Sequence, residues 1–228
     1  GDSRKTKERL DSMLVETDTM LQIGALKALT NFPALLTNET LIQFIRSDNS
    51  QLSNLSIIIA GKKMDAELLP HIIASLQNIE TKKTSRAALQ RFIPDMVEKM
   101  ILQLLLENKY YLSDNAVGLL ETLGDLGLYD TIKILPNIIE QSESEVLLDT
   151  AVYSCRIIAS RIMPQSLNTH EIEKIFEYRL KHAYKKLYRI NLLDSLDGCI
   201  LIKDIFKTDL KREIIRLFNI LEILYHDK

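Results

Sequence analysis

The sequence predicts an all-α fold: an α-solenoid of paired antiparallel helices with a C-terminal helical cap. Three observations lead there. Apolar residues recur at helical spacing from end to end of the 228 residues. Glycine (7) and proline (5) are too scarce for the turns of a β-sandwich, or for the glycine-rich strand–helix turns of a doubly wound sheet. Small residues recur in every second expected helix, at Ala25, Ser56, Ala87, Ala116 and Ala151, with separations of 31, 31, 29 and 35. A period in the thirties built from two helices and a turn is the signature of a stack in which each pair covers the next.

Taken in order, helices are expected near 5–30, 39–46, 51–62, 66–78, 82–92, 95–108, 113–124, 130–141, 144–162, 170–195, 199–206 and 209–226. In the first, Leu21, Ala25, Ala28 and Phe32 share a stripe. Asn38 and Asp65 suit helix starts, where a side-chain oxygen accepts from the free first-turn N–H groups. Leu69, Ile72, Ile73 and Leu76 form the next clear stripe. Pro94 fits a first-turn position ahead of Val97, Met100, Ile101, Leu104 and Leu105. Gly124 and Gly127 suit a helix exit. Ser142 with Glu145, and Asn168 with Glu171, have capping-box spacing. Leu147, Ala151, Cys155, Ile158 and Ile162 then share a face. Ile172, Phe176, Leu180, Ala183, Leu187 and Ile190 define a longer helix, and Ile214, Leu217, Phe218, Leu221 and Leu224 a closing one. Leu69-Pro70-His71-Ile72-Ile73 is echoed by Leu135-Pro136-Asn137-Ile138-Ile139, 66 residues on, about two periods. The repeats are expected over residues 1–162, and 163–228 as a long helix with capping helices in the same domain.

A hydrophobic content of 46% with 26% charge belongs to a folded domain rather than a disordered one. The formal charge of −2 does not suit a strongly basic nucleic-acid binder. The two cysteines, Cys155 and Cys199, lack metal or disulfide spacing, which points to a reduced, cytoplasmic setting. No apolar run approaches the roughly 20 residues of a membrane span. Gly1 in place of an initiating Met reads as a cleavage scar, and the chain as a piece of a larger one.

Leu21–Leu29 (LQIGALKAL) and Val146–Ile158 (VLLDTAVYSCRII) resemble the second helices of HEAT or armadillo-like repeats, over about residues 15–162. That resemblance implies close helix packing at the small residues. It also implies a groove lined by the second helices, with Gln22, Lys27, Asn54, Lys62, Arg86, Gln90, Asn115, Glu121, Asp149 and Arg156 as provisional lining. The segment Ile214–Tyr225 (IIRLFNILEILY), after a long helix, is similar to the end of the HEAT segment attached to bacterial ADP/ATP-carrier-like membrane transporters. The matching residues are Leu217, Phe218, Ile220, Leu221, Ile223, Leu224 and Tyr225. That similarity implies a transporter domain upstream. The basic cluster Arg4-Lys5-Thr6-Lys7-Glu8-Arg9 fits the cytosolic side of a membrane, or an ordinary solvated first turn.

Chemistry-bearing patterns are sparse. His71, His170, His182 and His226 have no i, i+4 pairing for a metal, and Glu67 stands four residues before His71 rather than three. Cys155 lies on an apolar stripe without an activating neighbour set, and Gly124-Asp125-Leu126-Gly127 is no phosphate loop. Glu143 and Glu145 suit a helix N-terminus. No catalytic residue, metal ligand or cofactor is expected. The distinctive surface feature is Lys174, Tyr178, Lys181, Lys185 and Arg189, one stripe of the long helix, flanked by His182, Lys186 and Tyr188. Interleaved cations and tyrosines form a candidate interaction patch for phosphate groups of lipid or nucleotide. The plainer reading is a solvated helix face, since Glu173, Glu177 and Asp194 dilute the charge.

These readings combine into a non-enzymatic protein-interaction or spacer module. Its partner would be another protein or a neighbouring domain of the same chain, on the cytosolic side of a transporter-like protein. Two alternatives stand beside it: a nucleic-acid-binding α-solenoid, which would need a continuous basic groove, and a HEAT-like lyase, which would hold a cofactor.

Overall fold

The computed structural model describes residues 2–108, 116–141, 144–161, 169–194 and 200–225. Among the described residues every regular element is helical and no strand occurs. Contacts gather into two compact units, Gly1–Leu104 and Leu105–Lys228.

In the first unit, α1 (Asp2–Val15) packs on α2 (Thr19–Leu29). The single helix expected over 5–30 is interrupted because Asp18 is extended and its carboxylate accepts from the Met20 amide at 2.8 Å, starting a new helix. Ile23, Ala25, Leu26 and Leu29 are the buried face of α2, whereas Leu21 and Phe32 of the expected stripe are exposed, as is Ala28. The segment TMLQIGALKAL is apolar on almost every side, so its period does not select one face. Packing against α1 and α4 selects it instead.

Helix α3 (Asn38–Ile45) is capped by Thr37, whose hydroxyl accepts from the Thr40 amide at 3.3 Å. Asn38, expected as the cap, is one residue inside. Its amide is free to donate to Asp65 Oδ2 at 2.8 Å and Glu67 Oε2 at 2.6 Å. Those bonds place the Asp65 carboxyl below its ordinary range: the Asn38 amide contributes most, followed by the Glu67 backbone N–H. Asp65 caps its turn as expected, accepting from the Glu67 amide at 3.1 Å. The helix expected over 66–78 is broken into a 3-10 turn, α5 (Leu69–Ala74) and a second 3-10 turn. Its stripe Leu69, Ile72, Ile73 and Leu76 is nevertheless buried throughout.

Helix α4 (Ser50–Lys63) starts at the Asn49 cap and ends at Met64, whose φ of 54° is left-handed. It packs on α2 and on α6 (Lys82–Leu89). The approach to α6 is set by glycine: a Cβ on Gly61 would stand 2.8 Å from the Ala88 Cβ and 2.9 Å from its Cα. Ala88, not the expected Ala87, is therefore the small residue at the contact, and Ala87 faces solvent. Lys62 Nζ donates to the Thr30 carbonyl at 2.9 Å, and Lys63 Nζ to Leu36 at 2.8 Å. Helix α7 (Pro94–Asn108) begins with proline as expected.

The second unit contains α8 (Val117–Leu126), α9 (Tyr129–Ile132), α10 (Leu135–Gln141), α11 (Glu145–Ala159), α12 (Thr169–Asp194) and α13 (Ile200–Tyr225). Gly127, with φ of 70°, ends α8 as expected. Gly124 does not terminate anything. It lies within α8, where a Cβ would meet Ser154 Oγ at 2.8 Å, so it lets α11 approach. Ser154 Oγ donates to the Leu120 carbonyl at 2.9 Å, and Arg161 Nη1 to Asp125 at 2.6 Å. Ala116 is buried, but at the α8 cap rather than mid-helix.

Helix α11 is capped by Ser144, which accepts from the Leu147 amide at 3.3 Å. The two closing helices expected at 199–206 and 209–226 are one. Thr208 Oγ1 donates back to the Asp204 carbonyl at 2.9 Å within α13, and Asp209 faces Lys186 at 3.7 Å, so this polar pair needs no break. Asn115, Ser142, Glu143, Ile162, Asn168, Cys199 and His226 lie outside the described residues, as does the side chain of Glu171. No described helix is long and apolar enough to cross a membrane.

Candidate functional site

Lys174, Tyr178, Lys181, Lys185 and Arg189 occupy the exposed face of α12. Their spacing of four, three, four and four keeps them on one side of a straight helix, over about 22 Å. Tyr178 leans on His182, with ring centres 4.8 Å apart and a tilt of 53°. His182 sits below its ordinary pKa because of its burial, helped by Arg179, Lys185 and Lys186 and opposed by Glu213. Tyr184 and Tyr188 are exposed on the same half of the helix, and Lys186 is drawn inward.

The opposite face of α12 carries a feature that the sequence reading missed. Arg179 is buried there, and α13 meets it with Glu213 and Arg216, each only 1% exposed. Arg216 is the hub. Its Nε donates to Asp149 Oδ1 at 2.5 Å, its Nη1 to Glu213 Oε2 at 3.1 Å, and its Nη2 to the Glu145 carboxylate. Arg179 Nε lies 3.0 Å from Glu213 Oε1 but off hydrogen-bond alignment, so that contact is coulombic. Lys186 Nζ is 3.7 Å from both Asp209 and Glu213.

Burial alone would raise the Glu145 carboxyl. The Arg216 hydrogen bond and charge, with Lys186 and Arg179, outweigh burial and hold it below its ordinary value. On Arg216 burial acts in the opposite direction, to lower it, but its bonds to Asp149 and Glu145 leave it raised. The junction ties α11, α12 and α13 together. The expected core stripe of α13 is thereby displaced: Glu213, Arg216, Leu217, Ile220 and Ile223 face inward, and Ile214 and Phe218 face solvent. The readable signal was a charged pair three residues apart within an apolar period.

Beyond that junction, Phe218, Leu221, Glu222 and Tyr225 line an open groove on α13. Glu222 is bonded by Arg156 Nη1 at 2.8 Å, and the Arg156 guanidinium lies 5.5 Å from the Tyr153 ring centre on α11. Tyr153, Phe218 and Tyr225 are all exposed.

Several residues named as provisional groove lining serve other contacts. Lys62 holds the end of α2, and Asp149 and Arg156 pair with α13. Asn54 donates to the Glu80 carbonyl at 3.2 Å, and Gln22 to Glu16 at 2.7 Å. Cys155 is buried on its apolar stripe, and burial pushes its thiol up to about 12. That keeps it protonated and unreactive near neutral pH. His71 faces Arg46 Nη2 at 3.3 Å and is held low by burial and that charge. Among the described residues no three His, Cys, Asp or Glu side chains gather as a metal-holding group. No family model matches this sequence, and neither a curated protein nor a solved structure matches it.

Proposed function

We propose that this chain is a non-enzymatic protein-interaction or spacer module, built within each unit as a HEAT-like stack of paired helices. The observation that carries the reading is the open aromatic groove on α13. Helix α11 packs on α8 and on α13, and among the described residues the outer stripe of α13 keeps Phe218 and Tyr225 exposed and Leu221 half-buried. Tyr, Phe and Arg are the residue types that anchor protein interfaces, and Tyr153 and Arg156 stand at the groove's edge. The occupant is a further amphipathic helix, from a partner or a neighbouring domain, laid along α13 as each helix of the stack is laid on the last.

The stitching between second helices supports the repeat reading. Lys62 holds the carbonyl end of α2 across 32 residues, and Arg161 holds that of α8 across 36. In both units a glycine, Gly61 or Gly124, sits at the close approach. Two units thus use one device at similar spacing, as repeats do.

A photo-crosslinking amino acid at Phe218, in cells producing the protein from its full coding sequence, tests the groove. The expected result is a discrete adduct with one identified chain or domain, lost when Tyr225 is changed to Asp. Absence of an adduct, or an equal adduct from Met64 on the first unit, refutes the groove. The narrower form of the proposal places the module on the cytosolic side of a transporter-like protein. It requires spans of roughly 20 apolar residues upstream in the coding sequence, and their absence refutes it.

A further inference from the structure

We propose that the groove between α4 and α6, on the first unit, binds an acidic amphipathic helix of a partner protein. The two helices pack side by side and run in the same direction. Asn54 of α4 donates to the Glu80 carbonyl just before α6, and further along Gly61 meets Ala88 near the end of α6. Ile58, Thr84, Ala87 and Ala88 line the groove between them, together with Lys83 and Arg91. Ala87 is exposed and lies four residues from each of those cations, so the three share one side of α6. On α4, Ile58 and Lys62 are both half-buried and share a side in the same way. The floor is thus small and apolar, and its flanks are cationic.

Charge decides what fits there. Helices α2, α4 and α6 pack in that order and carry Lys27, Lys62, Lys63, Lys82, Lys83 and Arg86 without one Asp or Glu, in a chain whose net charge is −2. Lys83 and Arg91 are exposed. Glu80 and Asp95, the acids nearest to them in sequence, form no ion pair with them among the described residues. Lys62 donates to the Thr30 carbonyl at 2.9 Å and to Asn31 Oδ1 at 3.4 Å, contacts that orient its charge without neutralising it. A ligand that offered phosphates alone would meet the cations and leave the apolar floor uncovered. A nucleic-acid base would find no aromatic ring to stack on in α2, α4 or α6. A helix with carboxylates and apolar side chains on one face meets both parts. From Lys83 to Arg91 the chain advances about 12 Å at 1.5 Å per residue. Acids seven residues apart on a partner helix stand about 10.5 Å apart on one face, with an apolar residue between them to seat on Ile58 and Ala87. The α13 groove has Glu222 in its lining and so does not select an acidic helix.

The test is isothermal titration calorimetry of the intact 228-residue chain with a synthetic Ala/Gln helix bearing Glu at seven-residue spacing and Leu between. The expected result is saturable binding that weakens as salt is raised. Replacing the Glu of the peptide by Lys, or its Leu by Gln, should weaken binding at least tenfold. Lys83→Glu with Arg91→Glu should do the same to the Glu peptide and gain binding of the Lys peptide. Ala87→Glu, which sets a carboxylate four residues from both cations, should also weaken the Glu peptide at least tenfold. All three positions are exposed, so the thermal melt should stay unchanged. Phe218→Asp should leave binding intact, and a loss there would assign the peptide to the α13 groove and overturn this proposal alone. Absence of binding, equal binding of the Glu and Lys peptides, indifference to the Lys83 and Arg91 changes, or tighter binding of a DNA duplex than of the Glu peptide also overturns it.

Discussion

Arg216 shows how one residue can reverse the reading of a helix face. Its guanidinium is 1% exposed and bonded to three carboxylates, one of which, Glu213, is equally buried. Removing one partner from a buried pair strands the other charge. Arg216→Ala is therefore expected to lower unfolding stability by about 3–5 kcal/mol in urea titration. Arg212→Ala, exposed one position before Glu213, should stay within about 0.5 kcal/mol. The pH dependence follows from Glu145, whose folded carboxyl lies below its unfolded value of about 4.3. Its contribution is complete above that value and is lost as pH falls through the lower folded one. Stability should consequently drop below about pH 4, and Glu145→Gln should flatten that drop in urea titrations at pH 3 and pH 6. Cys155 gives a further residue-level expectation. With Cys199→Ser in place, its buried thiol should resist a disulfide-exchange reagent at pH 8 until the protein is unfolded.

Between helices, contact distance is governed by glycine. Alanine at position 61 would gain about 1 kcal/mol of helix propensity but drive a methyl against the Ala88 backbone at 2.9 Å. Overpacking of that kind costs about 1–3 kcal/mol, so Gly61→Ala should be net destabilising by calorimetry. A stabilised variant would mean that α4 and α6 can separate at little cost. The long hairpin of α12 and α13 obeys a different rule. Charges mark the register of its two helices, with Lys186 set against Asp209 and Glu213.

Across the molecule, each unit has its own buried apolar set: Leu26, Ile57, Leu68 and Leu89 in one, Leu120, Leu147, Ile158 and Ile220 in the other. Perturbations should therefore be local. Native-state hydrogen exchange is expected to show Gly61→Ala lowering amide protection in α2, α4 and α6, and Arg216→Ala lowering it in α11, α12 and α13. Uniform loss of protection across both units from either change would contradict that expectation.

The helical class, the positions of most helices and the exposure of the Lys174–Arg189 stripe were legible in the sequence. They depend on local period and on turn chemistry such as Asp65, Pro94 and Gly127. Which face of α2 or α13 turns inward was not, because those helices are apolar on several sides and the neighbours decide between equivalent stripes. Ala88 replaced Ala87 at a contact for the same reason: one residue of rotation depends on where Gly61 lies in space. The buried junction around Arg216 was beyond local reading altogether. It joins Glu145 and Asp149 to Arg216 across 71 and 67 residues, and a charge becomes part of a core only when distant partners are brought to it.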